Sequence, residues 1–265
     1  MTPSFIALMC HLAPLPAHAA ALGSNASSHS TIKISPKESS EAESNSLFDA
    51  PLYVIDAPTG HALEAGDFEV RSRFFSGGGL LEYAYFGVLD RLDVGASLNA
   101  DGVIGGGPAH VQTPEAELKW EFYQGRHYWP AMAVGYDGQG FDYNPKTQSY
   151  NEPRRGAYLA FSQKLGLPEL VLHPSVSVSD FNQNAFSGAL PLTLTLGHVA
   201  TLMAEWDQLG PVDESRFNAG IRFHITHGFA LDFDTRSIGQ GGTFSDGTSR
   251  GPERIVQLFY RGELF

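Results

Sequence analysis

The sequence predicts an all-β fold, a transmembrane antiparallel up-and-down β-barrel of about twelve strands. Three observations carry that expectation. About a dozen short segments alternate apolar and polar residues one by one, their connections are by turns short and long, and an even number of segments returns the C-terminus to the side of the short joins.

The alternation is clearest late in the chain. Phe217, Ala219, Ile221 and Phe223 interleave with Arg216, Asn218, Gly220, Arg222 and His224, and Phe229, Leu231 and Phe233 with Ala230, Asp232, Asp234 and Arg236. Successive side chains of a strand point to opposite faces, so each segment lies between two unlike environments. Strands are expected at 67–75, 80–88, 91–99, 115–123, 128–137, 156–164, 170–179, 186–194, 198–207, 215–225, 228–237 and 253–264. The turn-sized joins fall around Asp90, Gly125–Arg126, Gly166–Pro168, Gly197 and Thr226–His227. Of the opposite joins, those after the third, fifth and eleventh strands are long and rich in Gly, Asn, Asp and Pro, those after the seventh and ninth are intermediate, and the first, at Ser76–Gly79, is short. A soluble sandwich has no reason to keep its long loops at one end.

Parity assigns the two faces. Phe68, Val70 and Phe74 face lipid, as do Ala116, Leu118, Trp120 and Phe122, and Phe186, Gly188, Leu190, Leu192 and Leu194. In the last strand the even positions Val256, Leu258, Tyr260, Gly262 and Leu264 form the good apolar face, which puts Arg261 inside and Phe265 just past the strand. A charge facing lipid near the midplane costs about 2–4 kcal/mol. Trp120, Trp129, Trp206, Tyr83 and Tyr85 are candidates for interfacial aromatic girdles.

Composition excludes other classes. The chain has 265 residues with 29 Gly and 12% aromatic residues, and 29 Asp and Glu against 17 Lys and Arg, which argues against a nucleic-acid partner. No apolar run of the mature part is long enough for a spanning helix. Residues 1–19 read as a signal peptide, with Ala17-His18-Ala19 as the cleavage site and the sole cysteine, Cys10, inside it. No Lys or Arg precedes its apolar stretch, so the true start lies open. Residues 20–50, rich in Ser, read as a disordered periplasmic tail, and 51–265 as the barrel.

Three stretches resemble a known group. They are Ala57-Pro58-Thr59-Gly60 followed by Gly66-Asp67-Phe68, Leu202-Met203-Ala204-Glu205-Trp206-Asp207 followed by Arg216-Phe217-Asn218-Ala219-Gly220-Ile221-Arg222-Phe223, and the terminal strand from Glu253 to Tyr260. Together they resemble YjbH-type outer-membrane proteins, which implies a single barrel module linked to exopolysaccharide production. The motifs are short and cover about a fifth of the barrel.

The expected lumen brings together Glu69, Arg71, Arg73, Glu117, Lys119, Glu121, Glu205, Arg216, Arg222, Asp232, Asp234, Arg236 and Arg261. Segregated on opposite walls, such charges would set a transverse field across a pore, and the acid excess would favour cations. Paired across strands, they would close and stiffen the barrel. The sequence leaves both open. The expected function is a small pore or a scaffold in envelope or exopolysaccharide export, in the bacterial outer membrane. Its partners are outer-membrane lipid and lipopolysaccharide, the barrel-assembly machinery reading the strand that ends in Phe265, and polysaccharide or export components. Two alternatives are a barrel enzyme acting on lipid or lipopolysaccharide and a soluble periplasmic β-sandwich that binds ligands. No catalytic, cofactor-binding or metal-binding residue is assigned. His173 with Ser175 and Ser177 is the nearest approach to a nucleophile and base, and His224 and His227 read as turn polarity. Gly239-Gln240-Gly241-Gly242 lacks the Lys of a phosphate cradle, and Asp137-Gly138-Gln139-Gly140-Phe141-Asp142 reads as an outward turn.

Overall fold

The computed structural model describes residues 50–105, 108–126, 128–144, 146–179, 186–210, 215–243, 247 and 251–264. The stretch read as a signal peptide, Cys10, nearly all of the Ser-rich tail and Phe265 lie outside them.

Twelve strands form the wall: β1 Asp67–Phe75, β2 Gly79–Leu89, β3 Leu92–Asp101, β4 Glu115–Tyr123, β5 Ala131–Asp137, β6 Gly156–Leu165, β7 in two pieces (Leu167–Leu172 and Ser175–Val178), β8 Phe186–Leu196, β9 Ala200–Asp207, β10 Arg216–Thr226, β11 Phe229–Ile238 and β12 Glu253–Glu263. Each pairs antiparallel with the next, and β1 closes on β12 from Asp67 opposite Glu263 to Phe74 opposite Val256. Closure leaves no unpaired sheet edge, the condition a strand wall must meet in hydrocarbon.

β7 is interrupted at Pro174, which has no N–H for the ladder. The wall is rejoined by neighbours: His173 N donates to Pro191 O at 2.8 Å and Phe161 N to Pro174 O at 2.9 Å. At the long-join end Phe141–Asn144 pairs with Ser149–Glu152 in a hairpin, and His110–Val111 adds a short strand beside β3.

The outer face is apolar around the circumference. Val94, Leu118, Val134, Leu190, Leu202 and Phe233 are exposed with no protein over them. A continuous girdle of this kind on a closed wall is a lipid-facing surface, not the scattered apolar exposure of a soluble protein. Trp120, Trp129 and Trp206 lie on it, each at least half exposed. Tyr83 and Tyr85 do not, contrary to the sequence reading. They are buried and point inward, because β2 turns its odd positions to the lumen. The same parity sends Glu82 outward, where Ser72 Oγ donates to its Oε2 at 2.8 Å, four residues below the short Ser76–Gly78 turn.

If the girdle faces lipid, Leu118→Arg in the middle of β4 should lower the unfolding free energy by about 2–4 kcal/mol. Denaturant titration of the protein in lipid vesicles measures this. A loss near zero would mean that this face does not meet hydrocarbon.

A plugged lumen as the candidate functional site

Residues 51–65 do not belong to the wall. They run inside it, and Leu52, Val54, Ile55, Ala57, Thr59 and Leu63 are buried to 2% exposure or less. Their backbone forms a tight hairpin: Thr59 N donates to Leu52 O and Val54 N to Ala57 O, both at 3.0 Å, with Tyr53 bridged to Pro58. Pro58 and Gly60 suit the turn and its return limb. A Cβ on Gly60 would stand 2.5 Å from the carbonyl oxygen of Ala131 in β5, so the limb lies against the wall as only glycine allows.

Both limbs begin at the short-join end. Arg261 Nη1 of β12 donates to Ala50 O at 3.3 Å, Leu63 N to Asp93 Oδ1 of β3 at 2.8 Å, and Ala62 N to Glu121 Oε2 of β4 at 3.1 Å. Higher up, Lys119 Nζ donates to Leu52 O at 2.5 Å while lying 4.6 Å from the centre of the Tyr53 ring. Gly60 N donates to Ser162 Oγ at 2.9 Å. Arg71 stacks on Tyr83 at 3.9 Å and on Tyr53 at 4.9 Å, so the inward tyrosines pack the hairpin against β1 and β2.

The tip carries the strongest contacts. The amides of Ile55, Asp56 and Ala57 all donate to Oε2 of Glu205 on β9, at 3.2, 3.1 and 3.0 Å, an anion held in a concave run of N–H groups. Asn218 Nδ2 orients that carboxylate from β10 at 2.8 Å and is itself fixed by the Ser237 amide. The Asp56 side chain meets three guanidiniums: Arg73 at 2.6 Å, Arg236 at 2.5 Å and Arg216 at 3.2 Å. The barrel is plugged.

The long-join end is closed by the second hairpin, and the same arginines receive it. Arg236 contacts Glu152 at 2.6 Å and Glu253 at 3.0 Å, and Arg216 contacts Glu152 and, at 2.8 Å, Asp207. Phe141 stacks under Arg236 at 4.3 Å and Arg73 at 4.9 Å. The stretch from Asp137 to Phe141 therefore folds inward instead of forming an outward turn, with Asp137 and Gln139 buried. Asp56, Glu205 and Asp207 bring carboxylate oxygens within 4.8 Å of one another. Guanidiniums and amides already occupy those oxygens, so the cluster has its counter-charge without a metal ion.

Every residue of the expected luminal set is buried inside the wall. They fall into different contacts. Glu205, Arg73, Arg216 and Arg236 hold the hairpin tip, while Lys119 and Glu121 hold its limbs. Glu117 accepts from the Tyr53 hydroxyl at 3.4 Å. Arg261 pairs with Glu69 at 2.5 Å and Arg222 with Asp232 at 2.8 Å, and Asp234 accepts from Gln257 at 2.7 Å. The charges are not segregated onto two walls. Sequence reasoning missed Asp56, Asp93, Glu152, Arg155 and Asp207. The available signal was Leu52-Tyr53-Val54-Ile55, an apolar run too short to span a membrane, set before a turn and ahead of the first wall strand.

His173 does not meet Ser175 or Ser177. Its ring nitrogens lie 2.7 Å from Ser162 Oγ and 3.1 Å from Thr193 Oγ1, neither of which is a carboxylate, and Ser162 also receives the Gly60 amide under the hairpin. The cluster ties β6, β7, β8 and the plug together. His224 Nε2 lies 2.9 Å from Thr201 Oγ1.

No family model matches the chain and no curated protein matches it. Among solved structures, a mutant of the Rh. blastica porin aligns with a TM-score of 0.36 and 10% identity over 82% of this chain and 68% of that one. Outer membrane protein Omp33 of Acinetobacter baumannii aligns at 0.34 and 9%, over 74% and 97%. The N-terminal β-barrel domain of OprF from Pseudomonas aeruginosa aligns at 0.23 and 6%, over 76% and 100%. Scores of this size add no weight, and the barrel stands on its own closed hydrogen-bonded wall.

Removing the tip charge should be costly. Asp56→Ala leaves three buried guanidiniums short of a counter-ion, a change worth about 3–5 kcal/mol where a buried pair is broken. Thermal unfolding of the variant should show the loss, and Arg73→Ala on the Asp56→Ala background should recover part of it.

The outer hairpin has a pH dependence of known sign. Burial alone would raise the Glu152 carboxyl, but Arg216 and Arg236 outweigh it and hold it below its ordinary value of 4.5. A depressed folded value means that this contact contributes fully above 4.5 and is lost as pH falls through the lower folded value. Hydrogen-exchange protection of the Phe141–Glu152 amides, corrected for intrinsic rates, should be equal at neutral pH and at pH 5 and should fall in stronger acid. Release already at pH 6 would contradict the contact.

Proposed function

We propose that this protein is a non-enzymatic bacterial outer-membrane β-barrel that rests closed, with its own N-terminal hairpin as the plug, and serves the envelope as a scaffold instead of an open diffusion pore. The observation that carries the reading is the double hold on the hairpin tip, three amides on Glu205 and three guanidiniums on Asp56. A water-filled pore needs a free path between the charged walls, and here the hairpin occupies it. The apolar girdle and the one-sided long joins support a place in the outer membrane, with lipid and lipopolysaccharide as the surrounding partners. The resemblance to YjbH-type proteins supports a role beside polysaccharide or export components. Its motifs coincide with the plug: Ala57–Gly60 leads from the hairpin's turn into its return limb, while Glu205, Arg216 and Asn218 are the residues that receive the tip.

A second reading rests on the chemistry of the hold. The hairpin tip is held by polar, solvent-replaceable contacts, so a partner that withdraws the hairpin from the short-join side would leave a lumen lined by both signs of charge, Glu69, Glu117, Glu121, Asp232 and Asp234 beside Arg71, Arg73, Arg216, Arg222 and Arg236.

Planar-bilayer recording decides between them. The refolded protein should be electrically silent, whereas deletion of 51–62, or Asp56→Ala combined with Glu205→Gln, should give steady conductance steps. Conductance by the unaltered protein would overturn the closed reading. Silence of the deletion variant, with its fold verified by heat-modifiable gel mobility, would leave the scaffold without a latent pore.

A further inference from the structure

Above the hairpin tip, at the long-join end, lies a cavity of ≈ 160 Å³. At ~30 Å³ per water it has room for about five waters, or one small solute. Asp56 is its floor, and the ends of β5 to β10 form its sides.

Its lining is built and mixed. Asp56, Asp137 and Asp207 stand against Arg154, Arg155 and Arg216, so the formal charges cancel and neither a cation nor an anion is favoured. Arg155 and Arg216 are committed to Asp207, at 3.0 and 2.8 Å, and the deepest groups are fixed in place. Two aromatic faces bound the space, Phe141 at the inner side and the largely exposed Phe186 at the rim. Across the β7–β8 pair, Ser177 sits opposite Ser187 in register. Ser187 Oγ is buried and meets no hydrogen-bond partner among the described residues. A buried hydroxyl without a partner carries a desolvation cost that a ligand can relieve.

From this we infer that the outer vestibule is a binding site for a small, neutral, polyhydroxylated solute the size of one sugar ring. Such a molecule offers what the lining can use. Its hydroxyls donate to Asp137 and accept from Arg154 and from Ser187, and its C–H faces lie on Phe141 and Phe186. Because the lining is charge-balanced, an added charge on the solute gains nothing and loses hydration. The site has a floor only while the hairpin is seated, so the inference rests on the closed-lumen reading.

The test is calorimetric titration of the full chain in detergent with glucose, galactose, mannose and N-acetylglucosamine, and with glucuronate and glucosamine as charged counterparts. At least one neutral sugar should bind saturably and more tightly than its charged counterpart. Phe186→Ala and Ser187→Val, both away from the plug contacts, should each weaken it about tenfold, a change of about 1.4 kcal/mol. Unchanged heat-modifiable gel mobility verifies that both variants fold. No binding of any neutral sugar, tighter binding of a charged one, or undiminished binding in both variants would each overturn the inference. Bilayer recording on the same preparation separates the two readings: a silent barrel without sugar binding sinks this inference alone, whereas a conducting one sinks the closed lumen as well.

Discussion

The structure depends on how a buried carboxylate is compensated. Asp56 sits at the end of a hairpin inside a barrel with its side chain buried, and ion-pair distances of 2.5–3.2 Å to Arg236, Arg73 and Arg216 replace its hydration. An isolated charge there would be prohibitive, and so would three arginines without it. The two sides therefore require each other. The same arginines reach outward to Glu152, Glu253 and Asp207, so one network fixes the inner hairpin, the outer hairpin and the ends of β1, β9, β10, β11 and β12.

Glu205 complements this from the backbone side. A turn leaves amides without partners, and Ile55, Asp56 and Ala57 all aim theirs at one carboxylate oxygen. Asn218 holds that carboxylate, and Gly220 two residues on leaves space for Asp234, whose Oδ1 would be only 1.9 Å from a Cβ at that position. The short motif from Arg216 to Arg222 is thus a receptor surface: Arg216 for the tip, Asn218 for the carboxylate that binds the tip, Gly220 for room, and Arg222 paired to Asp232 below it. A barrel of twelve strands encloses a lumen too wide for wall side chains alone to fill, and a hairpin of about fifteen residues supplies the missing core. Its apolar members, Leu52, Val54, Ile55 and Leu63, pack inside with Leu81, Tyr83, Tyr85 and Met203.

Polar attachment of the plug has a functional consequence. Apolar packing along the limbs makes the hairpin part of the core, whereas the ion pairs and amide contacts at its tip can be exchanged for water or for a partner's groups. The wall's backbone ladder closes through β1 and β12 without the hairpin, although its inward arginines need the hairpin's carboxylate or a replacement anion. The barrel therefore has two parts, a closed wall and an insert seated by ion pairs and amide contacts at its tip and by apolar packing along its limbs.

The sequence by itself determined the wall. Strand positions, the lipid face and the inward side of Glu69, Arg71, Arg73 and Arg261 follow from a period of two, and period-two patterning is local information set by the unlike solvents on the two faces. Strand ends differ by a few residues, and Pro174 divides β7 where periodicity gave no sign of it. Tertiary structure decided what the charges do. The same acids and bases fit a transverse field, a cross-strand lattice or a plug, because contact between Asp56 and Arg236, 180 residues apart, depends on barrel closure and on which way residues 51–65 turn. Tyr83 and Tyr85 show the limit in small: an aromatic residue suits the interface and the lumen equally well by composition, and only the parity of β2 within the closed wall sends both inward.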